Sequence, residues 1–511
     1  MLFYNTTFFS NVILVYPLIL KNSGFLVSLV AVFFTFNFLL FTLLSSKWTT
    51  KPILIIVLII SSLTTYFINT YHVIIDDEMI RNTIQTNVDE SMDLVSLKQI
   101  MYLLFLGLIP SYFVYKAKVS YKTGKEELFS KFKVIIVSLV IISGSILLFS
   151  KHYTSFAREH KPLRFTTNPT YWIYSVGKYL GKTLNTGDNI VKQIGLDANI
   201  SNSTSEKKLV IMVVGEAVRA DHFSLNGYYR KTNPLLEKED IINYTNVSSC
   251  GTATAVSVPC MFSQFTKSQF SYKKGIGYEN VLDVLNHTNQ VSVLWRDNNS
   301  NSKGVALRVT HENYRNNKRN TICIEGECRD EGMLIGLDNY IKNNKDKNIF
   351  IVLHQMGNHG PAYYKRYPKA YEKFKPTCLT NQVEECLKHE IVNAYDNSIL
   401  YTDNFLTKTI QLLKKYNQTH QTAMLYMSDH GESLGEHGIY LHGLPYFIAP
   451  EAQTHIASLV WFGEKMKQHL DIDNIKKKSH ISYSQDNLFH TILGLFHVKT
   501  KVYEKDMDMF R

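Results

Sequence analysis

Two hydrophobic rhythms divide this chain. Over the first third, long uncharged runs alternate with short charged loops. Beyond residue 206, short apolar runs each end in a polar cluster. The long runs cover residues 24–46, 52–68, 100–115 and 134–150. Each approaches or exceeds the roughly 17–25 residues that cross a bilayer as a helix, so the pattern predicts a transmembrane helical domain over residues 1–150. Residues 1–20 are shorter and broken by Asn5, Asn11 and Pro17, with no basic stretch of the kind that opens a cleavable signal. Residues 151–205 read as a juxtamembrane linker. Within it, 152–180 is aromatic and basic, which suits a segment lying at an interface.

Residues 206–511 predict an α/β domain. The runs 209–214, 348–353 and 422–427 are short, continuously apolar and bounded by loop residues, as buried parallel strands are. Gly215-Glu216 follows the first, His354 to His359 end the second and Asp429-His430 follow the third. Ligand sites in open α/β sheets lie beyond the carboxyl ends of the strands. A fourth cluster, Cys250-Gly-Thr-Ala-Thr-Ala-Val-Ser-Val-Pro-Cys260, carries several hydroxyls between two cysteines. A Glu, an Asp-His pair, further histidines and a hydroxyl meeting at one sheet edge would suit zinc, with Thr or Ser as a metal-activated nucleophile. Taken singly, each cluster reads equally well as a helix cap or a surface group. Their common position after strand-like runs is what favours a site.

Charge and cysteine usage narrow the setting. The net charge is +11, but much of the excess sits in Lys116, Lys118, Lys122, Lys125, Lys131 and Lys133. That loop is expected on the cytoplasmic side. The preceding loop is acidic (Asp76, Asp77, Glu78, Asp89, Glu90, Asp93) and is expected outside, together with the C-terminal domain. No compact basic and aromatic pattern suits nucleic acid. All six cysteines lie beyond residue 249. Local pairs (Cys250/Cys260, Cys323/Cys328, Cys378/Cys386) are the simplest connectivity and fit an oxidising compartment. Zinc thiolates compete, but no pair has the two-residue spacing of a zinc knuckle.

Five motifs in order carry a resemblance. They are Gly215-Glu-Ala-Val-Arg-Ala-Asp-His222, the Cys250–Cys260 segment continuing to Ser263, and Trp295-Arg-Asp-Asn-Asn-Ser300 with Lys303-Gly304. His354-Gln-Met-Gly-Asn-His-Gly-Pro361 and Ser428-Asp-His-Gly-Glu-Ser-Leu-Gly435 complete the set. The chain closely resembles the phosphoethanolamine transferases, in their lipid A-modifying, polymyxin-resistance branch. The resemblance implies an N-terminal membrane helical bundle. It further implies a periplasmic domain like alkaline phosphatase and sulfatase, with a central, mostly parallel sheet. That family has five spans, so a span before residue 24 is expected; this chain has only the short opening segment there, and either its start lies upstream or the stub serves.

The same resemblance supplies roles. Thr254 matches the nucleophile, with Thr252 and Ser257 left as loop-bonding hydroxyls. Glu216, Asp429 and His430 match the ligands that complete a zinc site with Thr254, one ion being firmly held. His359 and His442 match histidines that contact the phosphoryl group, a second zinc, or both, one of them as general acid. His354 matches as well, with a structural role equally open. Asn299 and Lys303 resemble residues that hold substrate phosphate or ethanolamine. Asn82, Thr86 and Glu90, spaced to share one helix face, match head-group contacts. His437 stands where the family has asparagine. The implied reaction moves phosphoethanolamine from phosphatidylethanolamine to a lipid A phosphate through a covalent Thr254 intermediate, in a monomer of the bacterial inner membrane. Core sugars, glycans or proteins as acceptors, and metal-dependent phosphodiester hydrolysis, are the rival readings, as is a membrane scaffold with a decayed site. A sulfatase would need an arginine after the proline of Ser257-Val-Pro-Cys-Met261, and none is there.

Overall fold

The computed structural model describes residues 2–86, 91–121, 124–158, 160–184, 191–200, 206–324 and 326–511. They form two compact units, residues 1–80 with 95–180 and residues 81–94 with 181–511. The first unit therefore includes 151–180, the greater part of the stretch read as a linker. The short connection 81–94 belongs with the second.

The first unit is helical: α1 (Thr6–Val15), α2 (Leu20–Leu44), α3 (Thr50–Tyr71), α4 (Asp77–Gln85, which joins the second unit from Arg81), α5 (Leu97–Lys116), α6 (Gly124–Leu148), α7 (Ser150–Arg158) and α8 (Thr170–Leu184, which joins the second unit from Gly181). Helices α2, α3, α5 and α6 are long and apolar enough to cross a membrane. Helix α5 takes π geometry over Leu103–Leu108, just ahead of Pro110. Proline offers no N–H to the carbonyl one turn back, and the Tyr4 hydroxyl donates to that Leu106 carbonyl instead. Asn5, one of the polar residues that break the opening segment, has partners too. Asn5 exchanges two hydrogen bonds of 2.7 Å with the Asn168 backbone. The Asn168 amide donates to the Ser61 carbonyl, Thr64 and Thr65 at 2.8–3.0 Å. In an apolar helical unit such a closed network avoids the cost of unpaired polar groups.

The second unit is built on an eight-stranded sheet. Its strands are β1 (Lys207–Gly215), β2 (Ile241–Ser248), β3 (Val291–Asp297), β4 (Thr310–Asn313), β5 (Asn348–His354), β6 (His420–Ser428), β7 (His455–Phe462) and β8 (Tyr483–Ser484), in spatial order β8-β2-β7-β6-β1-β5-β3-β4. All neighbours are parallel except β7, which runs antiparallel to both β2 and β6. Residues 209–214 of β1 are wholly buried, as continuous Val, Ile and Leu runs require when both faces are covered. Val210, Met212 and Val214 join Phe350, Val352 and Leu425 in one core. Helix α9 (Thr254–Met261), helix α10 (Tyr272–Gly277) and the long buried helix α11 (Lys388–Lys414) complete the parts that position the site. Cys250–Cys260, Cys323–Cys328 and Cys378–Cys386 are disulfides, the local pairing expected.

Candidate active site and metal centre

Strand register brings the polar clusters together. Gly215 pairs with Ser428, and Val214 and Asp297 both pair with His354. Glu216, Asp429, His354 and Asp297 thus stand side by side where β1, β6, β5 and β3 end. Two glycines permit the crowding. A Cβ at Gly215 would lie 2.5 Å from the Tyr426 hydroxyl. Gly357, at φ +50°, lets the loop after β5 approach to where a Cβ would meet the Glu216 carbonyl at 3.0 Å.

Thr254 opens α9, with Ala253 before it in extended conformation. Its hydroxyl donates to Glu216 Oε2 at 3.1 Å and lies 3.4 Å from His430 Nε2. His430 Nδ1 is 2.8 Å from the Gly431 carbonyl, which can only accept, so that nitrogen carries the proton and Nε2 is left with its lone pair. Burial pushes the His430 imidazole down to about 4, outweighing the Asp429 charge, so it is neutral near pH 7. Yet Nε2 faces Glu216 Oε1 and Asp429 Oδ2, each at 3.3 Å. Asp429 Oδ2 is buried without a hydrogen-bond partner, whereas its Oδ1 accepts the Ala217 and His430 amides. A lone pair and two carboxylate oxygens directed at one another repel unless a cation lies between them. Glu216, Asp429 and His430 are fully buried, and each offers a ligand atom within 4.8 Å of the others. This donor set fits a divalent metal, with the Thr254 oxygen as a fourth ligand.

The other expected residues divide. The His442 ring lies 4.2 Å from that of His430 and 5.6 Å from that of His359, so both histidines border the centre. Asn299 donates to Glu216 Oε2 and to the Gln355 carbonyl, both at 2.8 Å, and so holds a ligand carboxylate in place. Lys303 is buried and its Nζ donates to Ser300 at 2.5 Å. His354 is fully buried, with Nδ1 3.4 Å from Asp297 and its ring edge-on to Trp295. The Thr86 hydroxyl donates to the Asn82 carbonyl on one helical turn; Glu90 lies outside the described residues.

Two contributors, Glu432 and Gln485, escaped the sequence reading. The Glu432 carboxylate, inside the Asp-His motif, lies 3.2 Å from His442 Nδ1 and orients that ring. Gln485 accepts the Cys250 amide and donates to the Ser428 and Asp429 carbonyls. Thr252 donates to the Leu444 carbonyl while the Gly443 amide donates to Thr252, so the loop bearing His442 is tied to the nucleophile loop. Nothing local to Gln485 signals its part; only the folded sheet brings it there.

A mixed, mostly parallel sheet with a buried hydroxyl at a helix start and acidic and imidazole ligands at strand ends defines the sulfatase and alkaline phosphatase class. The comparisons agree: residues 208–498 match the Sulfatase family and residues 33–184 the Phosphoethanolamine transferase EptA/EptB family. The chain is 42% identical over 507 residues to phosphatidylethanolamine transferase Mcr-2 of Escherichia coli, covering 97% of this chain and 92% of that protein. It is 25% identical to the Kdo(2)-lipid A phosphoethanolamine 7''-transferase of Salmonella typhimurium, over 86% of this chain and 81% of that one. The solved structure of the integral membrane lipooligosaccharide phosphoethanolamine transferase A (EptA) of Neisseria meningitidis superposes with a TM-score of 0.95 at 34% identity, covering 100% of this chain and 96% of that one. This chain belongs to the phosphoethanolamine transferases.

Proposed function

We propose that the chain transfers phosphoethanolamine from phosphatidylethanolamine to a phosphate of lipid A by double displacement. It would act in a bacterial inner membrane with its catalytic unit in the periplasm. The observation that carries this reading is the buried convergence of the Thr254 hydroxyl with Glu216, Asp429 and His430. Relatives named for phosphatidylethanolamine, for lipooligosaccharide and for Kdo(2)-lipid A support the donor and the acceptor class. Zinc suits the donor set, and when bound it supplies a Lewis acid that favours an ionised threonine and offsets charge on the phosphoryl oxygens.

The chain's own residues do the rest. Thr254 gives up its proton along the hydrogen bond to Glu216, and its Oγ1 attacks phosphorus. The bond from phosphorus to the diacylglycerol oxygen breaks, and that oxygen takes a proton from His359 or His442. In the second half, an oxygen of the acceptor phosphate attacks the phospho-threonine and the bond to Thr254 Oγ1 breaks. Oγ1 takes back the proton held by Glu216, and the histidine regains its own from solvent. Asn299 fixes Glu216 and Glu432 orients His442 throughout. Asn82, Thr86, Glu90, Lys303 and His354 are proposed to hold or frame the head group. The product carries an added ammonium, which weakens the attraction of cationic peptides such as polymyxin to the cell surface.

Mass spectrometry of lipid A from a Gram-negative host lacking such enzymes, expressing this chain or its Thr254→Ala variant, tests the reading. A phosphoethanolamine increment is expected only with the intact threonine. Absence of the increment despite folded protein in the membrane would sink the lipid A assignment.

A further inference from the structure

We propose that Arg81, in the last turns of α4, is an anion site that grips the phosphate of one of the reaction's lipids; the inference rests on the transferase reading above. Arg81 is 3% exposed and its guanidinium lies 3.9 Å over the Tyr272 ring of α10. Its Nε and Nη2 are buried with no hydrogen-bond partner among the described residues. A guanidinium stays ionised under all relevant conditions, and an unpaired buried charge is strongly disfavoured. Three other buried arginines of the same unit are closed by carboxylates: Arg219 by Asp221 and Glu436, Arg296 by Glu312, Arg366 by Asp93 and Glu327. Buried Arg329, whose Nε also lacks a partner among the described residues, donates through Nη1 to the Lys365 carbonyl, whereas Nε and Nη2 of Arg81 are both unpartnered there.

The vacant edge is also the gripping edge. Through Nε and Nη2, Arg219 holds both oxygens of Asp221 and Arg308 both oxygens of Asp283. Stacking on Tyr272 fixes the guanidinium plane and leaves that two-pronged edge for an O–P–O pair. One turn on, Gln85 Oε1 is likewise buried without a partner, an acceptor for a donor group on the same head group. The position suits a reacting lipid. Helix α10 packs on the nucleophile helix α9, where a Cβ on Gly275 would lie 3.8 Å from Pro259. Arg81 also adjoins Asn82 in the connection between two span-length apolar helices.

The phosphate could belong to the donor phosphodiester or to the acceptor, and the two half-reactions separate them. Full-length protein in nanodiscs is followed by intact mass, first for gain of the Thr254 adduct against phosphatidylethanolamine content, then for its loss against added lipid A. Arg81→Gln should raise the half-saturating concentration of one lipid by about tenfold to a hundredfold. Arg81→Lys, which keeps charge but loses the paired edge, should shift the same curve by a smaller factor. A shift in the first curve assigns the donor, and in the second the acceptor. Folded variants whose two curves superimpose on the unaltered protein's overturn the proposal, as does a fall in melting temperature and active fraction with neither curve moved. If Arg81→Gln does not fold, Arg81→Lys decides by the same criteria. Failure of the unaltered protein to form any Thr254 adduct would instead defeat the transferase reading, and this inference with it.

Discussion

Gln485, 235 residues beyond Cys250, joins the nucleophile loop to the end of β6, accepting from Cys250 and donating to two successive carbonyls. It is wholly buried, so Gln485→Ala would strand three polar groups away from water. The expected cost is on the order of 3 kcal/mol, read from denaturant unfolding of the full-length protein. Lipid A modification should fall more than stability alone explains, because Thr254 and Asp429 lose their common tether. Gln485→Glu refines the test: it retains the acceptor for Cys250 but sets a carboxylate against two carbonyls, and should be no milder than alanine. Glu216, Asp429 and His430 were legible as candidates in sequence because they follow strand-like runs within a few residues, and Thr254 and His442 because of the family resemblance. Gln485, Glu432 and Arg81 were not, since each acquires meaning only from a partner that the fold delivers.

At the scale of elements, the connection 81–94 is held to the catalytic unit at both ends. Arg81 stacks on Tyr272, and Asp93 is paired with Lys365 at 2.5 Å and Arg366 at 2.8 Å, while Asn381 donates to the Asp93 carbonyl. Burial pushes the Asp93 carboxyl up, but the Arg366 and Lys365 charges outweigh it and hold it below the usual carboxylate range. A carboxyl whose folded value is depressed contributes stability above its unfolded value of about 4 and loses it as pH falls through the folded value. The stability difference between the unaltered protein and Asp93→Asn should therefore be full at neutral pH and shrink only below about pH 4. Removing one partner from so buried a pair costs about 3–5 kcal/mol near neutrality; thermal melts across pH measure both effects. From sequence the acidic loop was expected outside together with the C-terminal domain, but its apolar flanks gave no sign that it packs as part of a unit beginning about ninety residues later. Spans and parallel strands were legible because hydrophobic period and length are local properties. Which unit a polar connection joins depends on ion pairs that no period encodes.

For the whole molecule, the metal centre should govern how firmly the catalytic unit holds together. With Thr254 counted, four buried ligand groups converge from three parts of the chain, so a bound cation stabilises the folded state by mass action. Zinc at a hundred times its dissociation constant would add about 2.7 kcal/mol. Chelation should lower the melting temperature of the full-length protein, added zinc should restore it, and Glu216→Ala should abolish the response. An unchanged melt after verified metal removal would count against a built-in metal site. Thr254, only 5% exposed and fixed by Glu216, has one further consequence, for handedness. In the double displacement proposed above, phosphorus arrives at and leaves the same oxygen, and each in-line displacement inverts it once. A donor made chiral at phosphorus would thus yield a product of unchanged configuration. An inverted product would mean that the group passes from lipid to lipid without ever resting on the protein.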